Sequence, residues 1–469
     1  MLVPQTRLLF WFAAIAVPFS TLGAVYPPAL LLSLCVILTA LAVALLDAGR
    51  SSRMLECVRL ELPKLIRLTR DRPAILPVTV RYGPGQPRCL RIGLVFPPEL
   101  NPAVDERLVL LPEEADAAQL DWECQPTARG RFILSQAGLE GSSPWGLWAV
   151  RRSLSVACEI RVYPNLLAAR RGLAALFLKR GAFGVHAQRQ LGKGREFEKL
   201  REYVPGDSYD EIHWKATARR GHPITKVFQI ERTQEVYVII DASRLSGRGC
   251  APLEAEAAVR GETSSTRSTG RSDGDVNGLS HDTVLERFLS AGLILGQAAE
   301  QQGDLFGLLT FSDQVQTFLR ARTGKEHYHA CRDAIYMLEP QAHAPDFDEI
   351  AAFIRTRLRR RALLVFLTSL EDPVLAEAFV RNMTLLAGQH LVLACMLRPE
   401  NAAPLFGEAP VRDLDDVYRH LGGHLQWRNL RELGKVLQRR GVRFALLENE
   451  KLAMEVVAQY MAIKQRQLL

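Results

Sequence analysis

Between Lys193 and Glu231 the chain gathers the groups that acid–base chemistry needs: Glu202, Asp207, Asp210 and Glu211, the bases Arg201, Lys215, Arg219 and Arg220, and His213 beside Trp214. An acid and an imidazole at this density are raw material for a hydrolase, with Asp207 and His213 as the pair. No nucleophile stands at a recognised spacing. Asp207 after Gly206 suits a turn or a helix N-cap, with Arg201 or Arg219 as its ion-pair partner, and Tyr203 and Trp214 are expected to pack the segment onto a sheet. A structural or partner-docking role therefore ranks above catalysis, because charged networks are commonly structural. A second group follows in Asp241-Ala-Ser243-Arg-Leu-Ser246. One carboxylate and two hydroxyls so close together suit a hard cation such as Mg²⁺. Ser243 has no GxSxG elbow around it, and P-loop, GxGxxG and HExxH patterns are absent.

The segments around these groups say how they would be held. EVYVIID (235–241), DLFGLLTF (304–311), ALLVFLT (362–368) and LVLACML (391–397) are short, nearly continuous apolar runs of the kind that central parallel strands need. Helical stretches lie between them at 284–301, 328–338, 347–360 and 374–386, so the rhythm predicts a doubly wound α/β domain over 233–469. The segment 247–281 breaks the rhythm. Its Ser, Thr, Gly and Arg cannot bury enough apolar surface to offset ordering entropy, which predicts a flexible insertion. Arg355, Arg357, Arg359, Arg360 and Arg361 close the third of those helices, and a solvated basic helix end is expected there ahead of an anion-binding patch. A last helix, 452–464, is expected to dock on the sheet.

Upstream the pattern differs. From 54 to 165 short alternating runs are separated by Pro and Gly, which predicts a β-sandwich, with Trp145 and Trp148 covering one edge. A linker carrying the charged segment, 166–232, joins it to the α/β domain. The chain opens with two uncharged apolar runs, 8–25 and 29–46, joined by Tyr26, Pro27 and Pro28. Each run would reach about 27 Å as a helix, enough to cross a bilayer core, so residues 1–50 are expected to form a transmembrane hairpin. A cleaved signal peptide is the competitor, but Arg7 is its only n-region charge and a second full-length run follows at once. The eight cysteines show no zinc or disulfide spacing, which points to reduced, buried thiols. The net charge of +8 is partly concentrated just after the hairpin, where seven bases from Arg50 to Arg72 outnumber Glu56, Glu61 and Asp71. That location favours membrane lipids over nucleic acid as a partner, since no nucleic-acid-binding motif accompanies it.

Phe197, Leu200, Arg201, Tyr203, Gly206, Asp207, Ile212, Trp214, Lys215, Ala218 and Arg219 follow the signature of the bacterial family known as domain of unknown function 58, and the chain resembles that family over nearly its whole length. The resemblance implies a membrane-anchored cytoplasmic protein with a von Willebrand factor A-like domain. It also implies two partners, a MoxR-type AAA+ ATPase and a transglutaminase-like membrane protein. The run from Asp241 to Ser246 resembles the DxSxS metal-ion-dependent adhesion site of such domains, which a Thr and an Asp from later loops complete. Here Leu245 stands at the second Ser, with Ser246 one place late. Pro345 beside Asp346 replaces the Thr, and Thr368-Ser369 replaces the strand-end Thr-Asp. Asp241, Ser243, Ser246 and Asp346 are the candidate Mg²⁺ ligands, with Glu371 and Asp372 near enough to compensate. An A-type fold that has kept its shape and lost its ion is the competing reading, so no cofactor is expected.

The function expected is binding. The chain reads as a membrane-anchored adaptor acting with the ATPase in assembly or maturation of a cell-envelope or protein complex; a metal-dependent adhesion module and a hydrolase are the alternatives. Arg201, Tyr203, Gly206, Asp207, His213, Trp214, Lys215 and Arg219 form the expected docking signature. Since Arg7, Arg50 and Arg53 flank an uncharged turn, a reporter fused after Leu469 should face the cytoplasm of a bacterial inner membrane. Labelling of that reporter from the periplasmic side would reverse the topology.

Overall fold

The computed structural model describes residues 1–83, 89–112, 116–167, 169–171, 173–174, 191–205, 208–229, 234–250, 283–399, 401–405 and 413–466. The chain divides into two units, Met1–Asn165 and Leu166–Leu469.

The first unit opens on a strand, β1 (Leu2–Pro4), followed by α1 (Thr6–Val25) and α2 (Leu30–Ser51). Both helices are long and apolar enough to cross a membrane, and only 6% and 11% of their apolar windows are buried, so neither is the core helix of a soluble body. They cross closely where Gly23 meets Ser33: a Cβ on the glycine would lie 3.2 Å from the serine hydroxyl. Eight strands follow: β2 (Arg59–Glu61), β3 (Leu65–Thr69), β4 (Ala74–Arg81), β5 (Cys89–Leu94), β6 (Glu106–Leu110), β7 (Ala117–Cys124), β8 (Gly130–Ser142) and β9 (Trp148–Tyr163). One sheet runs β1-β9-β8-β5-β6 with β3 also on β9; the other is β2-β4-β7. Alternation decides what each face buries. Leu76, Val78 and Val80 of β4 point inward to meet Leu90 and Ile92 of β5 and the fully buried Trp122, giving the sandwich that period-two patterning predicts.

The hairpin is bolted to this sandwich in a way the apolar runs alone did not reveal. Leu2 pairs with Val150 and Pro4 with Trp148, so the residues ahead of α1 complete a sheet. Trp148 donates its indole N–H to the carbonyl of Ala44 (2.9 Å), and Arg152 donates to that of Leu55 (2.6 Å). Trp145, by contrast, is 57% exposed and covers no edge. Arg70, one of the bases assigned to the membrane surface, is buried in a 3.1 Å ion pair with Asp71 and donates to the carbonyl of Thr127. It is therefore part of the sandwich.

The second unit begins with a helical turn whose Leu166 and Leu173 enter the core. The segment expected to be linker then contains an antiparallel pair, β10 (Leu191–Glu202) and β11 (Ile224–Gln229), with a short helix, α3 (Trp214–Arg220), between them. The α/β domain comprises β12 (Glu235–Asp241), α4 (Val284–Gln301), β13 (Leu305–Phe311), β14 (Val315–Arg322), α5 (Lys325–Ile335), α6 (Phe347–Arg357), β15 (Leu363–Leu367), α7 (Pro373–Ala387), β16 (Leu391–Leu397), α8 (Leu414–Arg439), β17 (Arg443–Leu447) and α9 (Leu452–Gln465). Strand order is β14-β13-β12-β15-β16-β17, all parallel except β14. This is the doubly wound order with its switch point beside the first strand. Val236, Val238 and Ile240 of β12 feed the core under α4 and α9, while Tyr237 and Ile239 feed the core under α6 and α7. Most of the expected insertion, 251–282, lies outside the described residues.

Cys124, Cys158, Cys331 and Cys395 are buried, and none of these four forms a disulfide. Burial pushes the Cys158 thiol up to about 11 and that of Cys331 to about 12, which leaves both protonated and inert at neutral pH.

Helix α9 docks as its apolar spacing predicts, burying Val456, Val457 and Tyr460, and a polar clamp fixes its register. Asp304, at the start of β13 and 1% exposed, accepts hydrogen bonds from the Tyr460 hydroxyl, from Lys464 Nζ (2.8 Å) and from the Gln234 N–H (3.2 Å). Removing the carboxylate strands a buried hydroxyl and a part-buried ammonium. Asp304→Ala should therefore cost about 3 kcal/mol, the lower end for breaking a buried pair because Lys464 keeps partial contact with water. Tyr460→Phe should cost about 1–3 kcal/mol. Chemical denaturation of the detergent-solubilised chain measures both, and a loss under half the expected value for Asp304→Ala would mean that α9 is held by apolar packing alone.

Candidate functional site

Two places require description: the end of β12, and the β10–α3–β11 segment that carries the charged signature.

Strand β12 is hydrogen-bonded to a parallel neighbour on each side, and Asp241 is its last residue. The neighbours supply the surroundings: Phe311 and Ser312 from β13 and its loop, Thr368 and Ser369 from the end of β15. Asp241 is completely buried. One carboxylate oxygen accepts from the Ser243 N–H (2.8 Å), and the other from the Thr368 hydroxyl (2.6 Å). Burial raises the Asp241 carboxyl above the usual carboxylate range, while hydrogen bonds from Thr368, Ser243 and the Ser369 N–H pull it back in part. The loop turns tightly here because Ser246 Oγ donates to the Ser243 carbonyl (2.7 Å) and the Leu245 N–H reaches Ser243 Oγ (3.4 Å). A neighbouring loop crosses beside it, Gln341 donating to the Ala242 carbonyl and Arg244 to that of His343.

The structure thus brings Asp241, Ser243 and Ser246 together, but it spends their oxygens on the protein. Asp346 is the candidate ligand that fails most clearly. Its backbone N–H donates to the Ser312 carbonyl, and its carboxylate caps α6 by accepting from the Asp348 and Glu349 N–H groups (2.9 and 3.1 Å). That is the ordinary work of an N-cap aspartate. Nor do the compensating acids converge: Asp372 caps α7 through the Val374 N–H (2.8 Å), and Glu371 pairs with Arg248 (2.8 Å). Among the described residues no group of three His, Cys, Asp or Glu side chains could hold a metal. Octahedral Mg²⁺ needs several free oxygen donors around one point, and this donor set does not fit it. Thr368 is the residue that reading the sequence undervalued. It keeps the threonine of the strand-end pattern beside the replaced Ser369, and its hydroxyl closes on the Asp241 carboxylate. The signal was present in a hydroxyl at the end of the strand adjacent to β12.

In the signature segment, Gly206 and Asp207 lie outside the described residues. The cap of α3 is His213, whose Nδ1 accepts from the Ala216 N–H (3.0 Å). That places the ring proton on Nε2. Gly221 ends α3 in the left-handed conformation at φ 74°, a position that glycine adopts without strain. Arg201 sits in β10 opposite Thr225, and Tyr203 stacks on Tyr209 with ring centroids 6.2 Å apart. Trp214 does not pack onto a sheet. It is the first residue of α3 and is 68% exposed, Tyr209 is 75% exposed, and Lys215 and Arg219 share one helical face in solvent. The reason is the length of α3: seven residues held by two caps need no core contact from Trp214 to stay in place.

The charge state of Asp241 gives a prediction whose sign can be worked out. A carboxyl whose folded-state pKa is raised contributes stability that is fully present below its unfolded value, about 3.9, and is lost as pH rises through the folded value. The stability of the wild type relative to Asp241→Asn, neutral throughout, should therefore be greatest near pH 4 and fall toward pH 7. Millimolar Mg²⁺ should leave the melting temperature of both unchanged. A rise of several degrees with Mg²⁺ in the wild type alone would show that these oxygens turn to hold an ion.

The model of the family described as "Protein of unknown function DUF58" matches residues 199–260 and 271–420. An uncharacterized protein of Mycobacterium tuberculosis strain H37Rv is 28% identical over 262 residues, 54% of this chain and 72% of the relative. Among solved structures, the conserved hypothetical protein BatB from Bacteroides thetaiotaomicron shares 14% identity over 50% of this chain and 99% of its own, with a TM-score of 0.30. An aerotolerance-related membrane protein from Bacteroides fragilis shares 13% identity over 49% of this chain and 98% of its own, with a TM-score of 0.27. The family match is narrower than the nearly full-length resemblance read from the sequence, since the hairpin and the sandwich fall outside it. From 199 to 420, where the signature and most of the doubly wound sheet lie, this chain is similar to the DUF58 family.

Proposed function

We propose that this protein is a membrane-anchored adaptor that holds a protein partner on the cytoplasmic side, and that its work is binding rather than catalysis. The observation that carries this reading is the exposure of Trp214 and Tyr209 on a segment whose backbone is fixed by strand pairing and helix caps. Large aromatic side chains left in water on a rigid support, flanked by Lys215 and Arg219, are typical of protein-binding hot spots. His213, the imidazole a hydrolase would use, has one ring nitrogen committed to capping α3. The two apolar helices supply the anchor, and the bases at their outer ends favour the cytoplasmic side.

The partner that the family resemblance implies is a MoxR-type AAA+ ATPase, with a transglutaminase-like membrane protein beside it, and assembly or maturation of an envelope or protein complex is the role we propose for the set. The test is recovery of cross-linked partners from detergent extracts of cells carrying the wild type, Trp214→Ala or Tyr209→Ala. Each substitution should change folding stability by less than about 0.5 kcal/mol, as exposed side chains do. Recovery of the ATPase should fall at least about tenfold, the loss of one modest hot spot. Undiminished recovery from both variants would end the docking role of the signature.

A further inference from the structure

At the opposite end of the sheet from Asp241, a pocket of about 290 Å³ opens between the start of β12, the strand β14 and the turn that leads from α6 into β15. Arg320, Arg357, Arg359 and Arg360 line it, with Glu235 and Tyr237. Four arginines and one glutamate thus line the same pocket. Among the described residues none of the four makes an ion pair. A helix C-terminus attracts cations and accounts for Arg357. It does not account for Arg320, which comes from another element, or for Arg359 and Arg360, which lie beyond the last turn.

The pocket wall is built in advance. The Arg357 guanidinium lies over the Phe353 ring, 5.7 Å from its centroid. Phe353 meets Phe318 edge to face at 5.2 Å, and Phe318 stacks on Tyr237 at 6.1 Å with rings 14° from parallel. The Tyr237 hydroxyl accepts from the Ala321 N–H (3.2 Å) and donates to Glu235 (3.4 Å). The ring reaches this position because residue 307 on the neighbouring strand is glycine, where any Cβ would collide with it. Leu358, buried between Arg357 and Arg359, pins the turn. A line of stacked rings therefore runs from the strand to one arginine and fixes its place, and like charges are held together at a cost that a bound anion would remove.

We infer that this pocket binds a multiply charged phosphate group. Guanidinium is planar and pairs bidentately with phosphate oxygens, and the excess of three positive charges matches a pyrophosphate or phosphomonoester better than a lone carboxylate. The group could arrive as a free phosphoanion or as a lipid headgroup, since the recognising chemistry is the same.

The experiment uses the full chain in neutral detergent, titrated calorimetrically with inorganic pyrophosphate. Binding is expected that weakens as salt is raised, and that weakens about tenfold or more in Arg320→Gln and in Arg357→Gln. Arg355→Gln, on the same helix but outside the pocket, should bind within about twofold of the wild type, a difference small on the scale of one charged hydrogen bond. Dihexanoyl phosphatidic acid is then titrated against dihexanoyl phosphatidylcholine. Displacement of pyrophosphate by the first but not the second assigns the pocket to a lipid headgroup, and displacement by neither assigns it to a free phosphoanion. Failure of the wild type to bind either phosphate probe, or equal loss in Arg355→Gln and Arg320→Gln, would overturn the assignment.

Discussion

The second unit depends on one constraint, the pairing of β12 with β13 on one side and β15 on the other, which buries both faces of a seven-residue strand. With no solvated face, every residue from Val236 to Asp241 must be matched, and the alternation of Val236, Val238 and Ile240 with Tyr237 and Ile239 feeds two separate cores. A strand held on all four sides also has fixed ends. Its last residue sets the carboxylate of Asp241 at a known point, and its first two polar groups, Glu235 and the hydroxyl of Tyr237, mark the rim of the arginine pocket. Both chemically distinctive places in the domain are therefore the two ends of one strand.

The same constraint explains how the Asp241 carboxylate is held by the protein itself. A buried carboxylate must be neutralised, coordinated or hydrogen-bonded. Here the third solution operates, because a threonine hydroxyl and backbone N–H groups approach it from the adjacent strand end and its own loop. Moving the second serine of the pattern by one place turns its hydroxyl back onto the Ser243 carbonyl, where it tightens the loop. The acids nearby have taken up helix caps and a surface ion pair. Each change is small in sequence, yet together they convert a cluster of oxygen donors into a closed hydrogen-bonded corner.

The elements legible in the sequence were those whose signal is local and strong. The apolar runs of β12, β13, β15 and β16, the helix at 284–301 and the docking of α9 could be read because burial on both faces, or along one stripe, leaves a periodic imprint. The β10–β11 pair was missed because its residues are polar and its pairing spans a helix. Strand β1 was missed because three residues carry no period at all. At the signature, the packing expected of Trp214 did not hold: His213 caps the helix and Trp214 stands in water. Side-chain direction depends on the turn geometry between residues, which composition does not encode. The arginine run was visible, but Arg320 and Tyr237, more than thirty residues away in sequence, were not, since only the sheet register brings them alongside.

The pairing of Leu2 with Val150 has a consequence for how this protein is made. The strand that precedes the first apolar helix leaves the ribosome before the strand it must join, Leu2 being followed by its partner Val150 only 148 positions later. At about 5–20 residues per second the wait is on the order of seven to thirty seconds. Before that interval ends both apolar helices are complete, while β9 has yet to be made. The sheet that includes β1 can therefore close only after the hairpin that follows β1 has been made.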